Sequence, residues 1–391
     1  MKFELSEQQK LLKRNAREFM EKEIIPLADE YDKKCNPFSK EQLTELYLKL
    51  IPLGYATGLI PQEYGGGGLD YPSFGIIVEE LARASGSLGI CEMGTQIMGP
   101  LTLYTEGTEE LKAKYLKPTI AGEKVAIGCL GVTEPDVGTA ARDIKTVATF
   151  SGKDYIINGT KTWISNGGYC DVAVVLAVAD DGKGHRGIAR FLVEKERSGF
   201  EIRELHKLGF RSSSTAELIF QDCRVPKENL AGEIGQGYGG AVASLFPLLR
   251  ATLATIGVGL AQAAIDTSVR YARERKQFGR PIGKFQLVQE MIADMVIETE
   301  AARLLVLDAF DSIQKDQQRI KRCSIAKAFA PEVAVRATSK AIEIHGAYGV
   351  SEEYALERYF RDARTLVIPD GTTEIQKLIV SREVLGMAAF V

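Results

Sequence analysis

The segment Ile368-Pro369-Asp370-Gly371-Thr372-Thr373-Glu374-Ile375-Gln376 puts one carboxylate on a glycine-hinged loop just ahead of a helical run. Gly371 lets the backbone pass close to a ligand, and Thr373 with Gln376 reads as a capping box for the next helix. An aspartate with its ordinary pKa of about 3.9 is a feeble base at neutral pH, so burial has to raise it. The positive end of the helix pulls the other way. Desolvation is expected to win once a ligand seals the site, but on these residues alone Asp370-Gly371 reads as an ordinary turn, and its candidacy as a base comes from the resemblance given below.

Metal and disulfide chemistry have little support. Cys35, Cys91, Cys129, Cys170, Cys223 and Cys323 lie far apart without a CxxC pair, and His185, His206 and His345 are equally dispersed, so no metal site is expected. The balance of 49 basic against 52 acidic residues gives no reason to expect nucleic acid as a partner. The N-terminus shows no apolar signal run, and nowhere do about 18 apolar residues follow one another, so no membrane insertion is expected. A cytoplasmic, reducing location follows from these features.

A chain of 391 residues exceeds one hydrophobic core. Ser6 with Gln9 forms a capping box ahead of Leu12, Ala16, Phe19 and Met20 at helical spacing, and helical patterns persist to residue 122. Gly65 to Gly68 reads as a flexible turn, since no Gly-Lys-Ser/Thr follows it. From Val125 to Val225 short β-branched runs alternate with turn residues, which predicts a compact antiparallel β domain. Leu248–Arg275, Gln286–Gln314 and Arg319–His345 then read as long antiparallel bundle helices. The expected fold class is α+β multidomain: an all-helical domain over 1–122, a β-barrel-like domain over 123–232 and a four-helix-bundle domain over 233–391. Gly235-Gln236-Gly237-Tyr238-Gly239-Gly240 matches GxGxxG, but a polar stretch precedes it and no βαβ unit surrounds it, so no Rossmann fold is expected.

Several separated motifs, in order along essentially the whole chain, resemble the flavin-dependent acyl-CoA dehydrogenases. Leu130-Gly131-Val132-Thr133-Glu134-Pro135-Asp136-Val137-Gly138-Thr139 is similar to the family segment that lines the isoalloxazine ring and approaches the substrate. Lys161-Thr162-Trp163-Ile164-Ser165-Asn166-Gly167 resembles its flavin-facing strand. Arg273-Glu274-Arg275-Lys276-Gln277-Phe278-Gly279 resembles the pyrophosphate-contacting turn. Glu343-Ile344-His345-Gly346-Ala347-Tyr348-Gly349 resembles the segment that reaches the FAD of a neighbouring subunit, with Glu343 where Gln is usual and Ala347 where Gly is usual.

The resemblance implies FAD as cofactor, held by Leu130, Val132, Thr133, Trp163, Ser165, Arg275, Gln277, Phe278, Gln286, Glu343, His345, Gly346, Thr372 and Glu374. A flavin needs an apolar wall and donors near its ring nitrogens; Trp163 offers the wall, Thr133 and Ser165 the hydroxyls. It implies an acyl-CoA thioester as substrate, approached by Thr139, Phe246, Arg250, Gly371 and Cys91. It also implies an electron-transfer flavoprotein as acceptor and a homotetramer built as a dimer of dimers.

In the family reaction a carboxylate removes the α-proton while hydride leaves the neighbouring carbon for flavin N5. The thioester oxygen is stabilised by a ribityl hydroxyl and by the base residue's own amide. The base is Glu in most of the family, and here it is Asp370. A subset takes its base from the first bundle helix, where Leu249 beside Arg250 offers none. Glu92 is read as a polar helix residue that could serve a second proton-removal geometry. Asp withdraws the carboxylate by one bond, about 1.5 Å, which favours a substrate with a ring or branch at the α-carbon. The chain most resembles the branch that oxidises cyclohexane-1-carboxyl-CoA to the cyclohex-1-ene thioester. Diene formation from that product, short or branched chains, enoyl-CoA reduction and a non-catalytic flavoprotein are the alternatives.

Overall fold

The computed structural model describes residues 4–389, and the chain runs helical, then β, then helical. The Ser6 hydroxyl accepts from the Gln9 N–H while the Gln9 side chain accepts from the Ser6 N–H, so the capping box starts the Glu7–Phe19 helix as its sequence predicts. Helices Tyr71–Ala84 and Gly86–Glu92 are buried on almost every side and make the inner layer of the first domain. The glycine run is not the flexible turn expected. Gly66, Gly67 and Gly68 donate to Pro61, Thr57 and Ile60 carbonyls at 3.1, 3.0 and 2.9 Å. A Cβ on Gly66 would stand 2.3 Å from the Ile60 oxygen, so glycine is needed there for close approach.

The β domain comprises β1 (Gly128–Gly131), β2 (Val147–Ser151), β3 (Asp154–Ser165), β4 (Val172–Asp180), β5 (Arg186–Glu194), β6 (Glu201–Glu204), β7 (Thr215–Pro226) and β8 (Leu230–Ala231). The strand order is β6-β7-β3-β2-β4-β5-β8, with β1 also on β4. The sheet is mixed, which corrects the purely antiparallel expectation: β1 and β2 both run parallel to β4, at Gly128–Val172 and Val147–Val178. Period-two patterning tells which face is buried, not which way a neighbour runs. The chain leaves β3 and returns beside β2 instead, and that crossover sets the direction.

In the last domain the helices Gly237–Glu274, Gln286–Gln314 and Arg319–His345 pack together, followed by Leu356–Leu366 and Thr373–Leu385. The first begins at Gly237, well before Leu248, and carries Pro247 inside it. A Cβ on Gly237 would lie 2.6 Å from the Ala189 backbone, so the glycine-rich start lets the helix seat directly on β5. This helix is long and apolar enough to cross a membrane, yet 78% of its most apolar window is buried within the protein. A hairpin, β9 (Lys276–Gln277) with β10 (Arg280–Pro281), follows it. All three domains meet at Arg361 and Asp362: the Arg361 guanidinium pairs with Asp32, and an Asp362 side-chain oxygen accepts from the Phe210 N–H.

Candidate active site

Asp370 lies in the turn between the last two helices with φ 53, a left-handed conformation that costs a non-glycine residue roughly 1 kcal/mol. Side chains on the turn's carbonyls hold it there. Arg250 Nε donates to the Asp370 oxygen at 3.3 Å. Gln376 Nε2 donates to the Asp370 and Gly371 oxygens at 2.9 and 3.0 Å. Lys327 Nζ donates to the Val367 and Gly371 oxygens at 3.3 and 3.4 Å. Desolvation pushes the Asp370 carboxyl above its usual range, and the charges of Arg250 and Lys327 pull it back.

The helix cap differs from the expected capping box. Thr372 is the N-cap and accepts from the Ile375 N–H, while Thr373 donates to Glu332 Oε1 at 2.8 Å. Two adjacent threonines are equivalent cap signals in a sequence, and the turn's carbonyls offer Gln376 better acceptors than a capping box does. Glu374 is exposed, and the Thr372 hydroxyl holds its carboxyl below the usual range.

From Asp370 a continuous line of contacts leads to the β domain. The Arg250 guanidinium, only 6% exposed, stands 5.5 Å over the Phe246 ring. Phe246 meets Tyr238 edge-on at 6.2 Å. Tyr238 packs with Leu130, Val132 and Ile188 on the cluster of Val137, Ile144 and Leu176. Thr133, one residue on, accepts the Thr162 N–H at 2.9 Å, which ties this segment to the strand bearing Trp163 and Ser165. Trp163 sits at an irregularity between Lys161 and Ile164 with φ 60 and is 59% exposed. That backbone turns the chain's single tryptophan out of the sheet, and an exposed ring flanked by half-buried hydroxyls suits a flat ligand. Thr139 lies exposed on the loop beyond.

The remaining cofactor candidates gather elsewhere. Arg275 caps the Gly237–Glu274 helix, roughly 37 Å along its axis from Arg250 at about 1.5 Å per residue. Its guanidinium lies 5.9 Å from the Tyr348 ring. Gln277, Phe278 and Gln286 are exposed beside it, Phe278 by 87%. Glu343, His345 and Gly346 end the Arg319–His345 helix. His345 stacks on Tyr271 at 4.1 Å and donates from Nδ1 to the Ala341 oxygen, and its buried Nε2 has no partner among the described residues.

Cys91 and Glu92 belong to the core. Cys91 has no exposure, and burial raises its thiol to about 12, so it packs as an inert apolar group. Glu92 is not a solvated helix residue: it is fully buried, accepts from the Thr95 hydroxyl at 3.2 Å, and is pushed up to about 8 by desolvation. Leu249 is buried beside Arg250, with no base to offer. Sequence reading passed over Lys327, although Cys323, Ala326, Ala330 and Ala334 around it repeat at the spacing of a buried face, and a lysine on such a face is a signal. It also passed over Lys161, buried against Glu134 at 2.8 Å and donating to the Val132 oxygen at 3.0 Å, which fixes the Val132–Thr133 segment.

The chain matches the acyl-CoA dehydrogenase N-terminal domain over residues 6–123, the middle domain over 129–223 and the C-terminal domain over 235–385. It belongs to the acyl-CoA dehydrogenase family, whose members are FAD-dependent oxidoreductases acting on CH–CH bonds. It is 39% identical to a short-chain specific acyl-CoA dehydrogenase of Clostridium acetobutylicum, across 98% of this chain and 100% of the relative. It is equally 39% identical to the CarC subunit of the caffeyl-CoA reductase-Etf complex of Acetobacterium woodii, across 96% and 98%. Butyryl-CoA dehydrogenase from Megasphaera elsdenii has a similar structure, with TM-score 0.90 and 36% identity over 98% of this chain and 100% of that one.

Proposed function

We propose that the protein oxidises the α,β-bond of cyclohexane-1-carboxyl-CoA to the cyclohex-1-ene thioester, with Asp370 as the base. The observation that carries this is the short carboxylate on a backbone that cannot advance, since Arg250, Gln376 and Lys327 hold its carbonyls. A ring at the α-carbon fills the space that a glutamate would occupy and brings its proton to Asp370. The α-proton passes to the Asp370 carboxylate as the hydride leaves the β-carbon, so the C–H electron pair of the first becomes the new double bond. FAD, when bound, supplies the acceptor for that hydride. The raised Asp370 carboxyl is a better proton acceptor than an ordinary aspartate, and the buried Arg250 on its turn, backed by the half-buried Phe246, keeps water from the reacting carbons.

The cofactor reading rests on fit. The exposed Trp163 ring, the Thr133 and Ser165 hydroxyls and the packed Leu130 and Val132 suit the flavin. Arg275 and Gln277 suit its phosphates, and the unpartnered His345 Nε2 leaves an acceptor for its polar parts. The distance from Arg275 to Arg250 exceeds the reach of one dinucleotide, so each FAD is shared between two copies of the chain. The Gln286–Gln314 helix supports this, because Ala293, Ile297, Ala301 and Leu304 form an exposed apolar stripe. A homotetramer, a dimer of dimers, follows from the same reading. An electron-transfer flavoprotein is the proposed acceptor, supported by the Acetobacterium relative, whose name includes Etf. A cytoplasmic location suits six unpaired cysteines.

A short or branched acyl chain is the second reading, favoured by the short-chain specific Clostridium relative. Anaerobic mixing of the FAD-loaded protein with cyclohexanecarboxyl-CoA, isobutyryl-CoA and butyryl-CoA, with product analysis, separates the two. Fastest flavin bleaching by the cyclic thioester, lost in Asp370→Asn, is expected. Fastest bleaching by butyryl-CoA sinks the cyclic reading, and full bleaching by Asp370→Asn sinks the assignment of the base.

A further inference from the structure

Lys327 stands inside the protein with no solvent exposure, on the Arg319–His345 helix and among alanines. An isolated ammonium is costly in such a place, so its contacts have to compensate. It donates to the Val367 oxygen at 3.3 Å and to the Gly371 oxygen at 3.4 Å. Those carbonyls bracket Asp370 on both sides. Arg250 and Gln376 hold the carbonyl between them, so three donors from three helices fix a turn of five residues that includes a strained φ.

We propose that Lys327 is the positioning residue of the base: its buried ammonium clamps the chain on either side of Asp370 and keeps the carboxylate charged. This inference rests on the assignment of Asp370 as the base and goes beyond it. The charged groups facing Lys327 are Asp370 in the turn, Arg250 on the Gly237–Glu274 helix, Glu332 on its own helix and Glu374 at the start of the last helix. Arg250 in turn faces Cys323, Tyr238 and Arg382. Burial draws the lysine down to about 8, with Asp370 the leading charge that holds it up, so the pair supports each other's ionised forms near neutral pH.

The test compares wild type, Lys327→Gln, Lys327→Arg and Asp370→Asn as FAD-loaded holoenzymes. Gln keeps a donor to the carbonyls and removes the charge; Arg keeps the charge. With the charge gone, the Asp370 carboxyl rises, so the acid limb of the kcat/KM profile in Lys327→Gln should move up by about one pH unit. KM should change less than threefold while kcat falls at least tenfold, and Lys327→Arg should return the limb to its wild-type position. In the wild-type protein, the Asp370 carboxylate band, identified by infrared difference against Asp370→Asn, should shift as pH passes through about 8. That measurement decides the matter even if Lys327→Gln does not fold. An unmoved acid limb in a folded Lys327→Gln, or a band indifferent to pH there, overturns the proposal. If Asp370→Asn still reduces flavin, it is the base assignment that fails, whatever Lys327 does.

Discussion

Asp370→Glu moves the carboxylate forward by one carbon–carbon bond, about 1.5 Å, without offering the backbone any means to compensate. The turn is held at the Asp370 oxygen by Arg250 at 3.3 Å and Gln376 at 2.9 Å, and at the Gly371 oxygen by Gln376 at 3.0 Å and Lys327 at 3.4 Å. Retreat of the chain would break several of these bonds, each worth about 1 kcal/mol or more with a charged donor. The extra reach is therefore delivered to the substrate. With an α-ring it places the carboxylate against carbon, and a misplacement of this size costs about a hundredfold, or about 2.7 kcal/mol of barrier. With a straight chain the same change closes a gap. The ratio of kcat/KM for cyclohexanecarboxyl-CoA to that for butyryl-CoA should fall by at least about a hundredfold, measured as the anaerobic rate of flavin bleaching. Equal loss on both thioesters would refute the reasoning, because it would mean that the side-chain length does not read the α-carbon.

Two further outcomes follow from the geometry. If each FAD is shared between chains, mixing Asp370→Asn with Arg275→Glu, each inactive alone, should restore activity in hybrids, since one site then pairs Asp370 of one chain with Arg275 of the other; no recovery after dissociation and reassembly would count against sharing. Asp362, lifted to about 7 chiefly by burial, stays protonated in the fold while the unfolded chain ionises near 3.9. Its contribution to stability therefore declines as pH rises from about 4 to about 7 and is constant above. Asp362→Asn keeps an oxygen for the Phe210 N–H and should flatten that decline in chemical denaturation at pH 4.5 and 7.5; an unchanged slope would show that other groups cause it.

Local rules read well where one residue and its near neighbours settle the outcome. Ser6 and Gln9 start a helix because their bonds span three residues. The ends of the Gln286–Gln314 and Arg319–His345 helices follow from periodicity and breakers. The same rules failed at Gly65–Gly68, where glycine serves contact with a distant backbone rather than a flexible turn, and at the start of the first bundle helix, which begins on β5 at Gly237 and not at Leu248. They failed also at Thr373, where adjacent residues carry equal cap signals and tertiary partners choose between them.

By itself the sequence determined the order of the three domains, the aspartate ahead of the last helix, and the family to which the chain belongs, because each is written in contiguous residues. The tertiary structure alone decided what surrounds that aspartate. Lys327 and Arg250 come from helices far apart in the chain, and only their packing brings two cations to the turn that Gln376 holds from six residues away. It likewise decided that Trp163 faces outward while Cys91 and Glu92 are sealed within the core. A carboxylate's strength and reach depend on desolvation and on distant charges, and these exist only once the chain has folded.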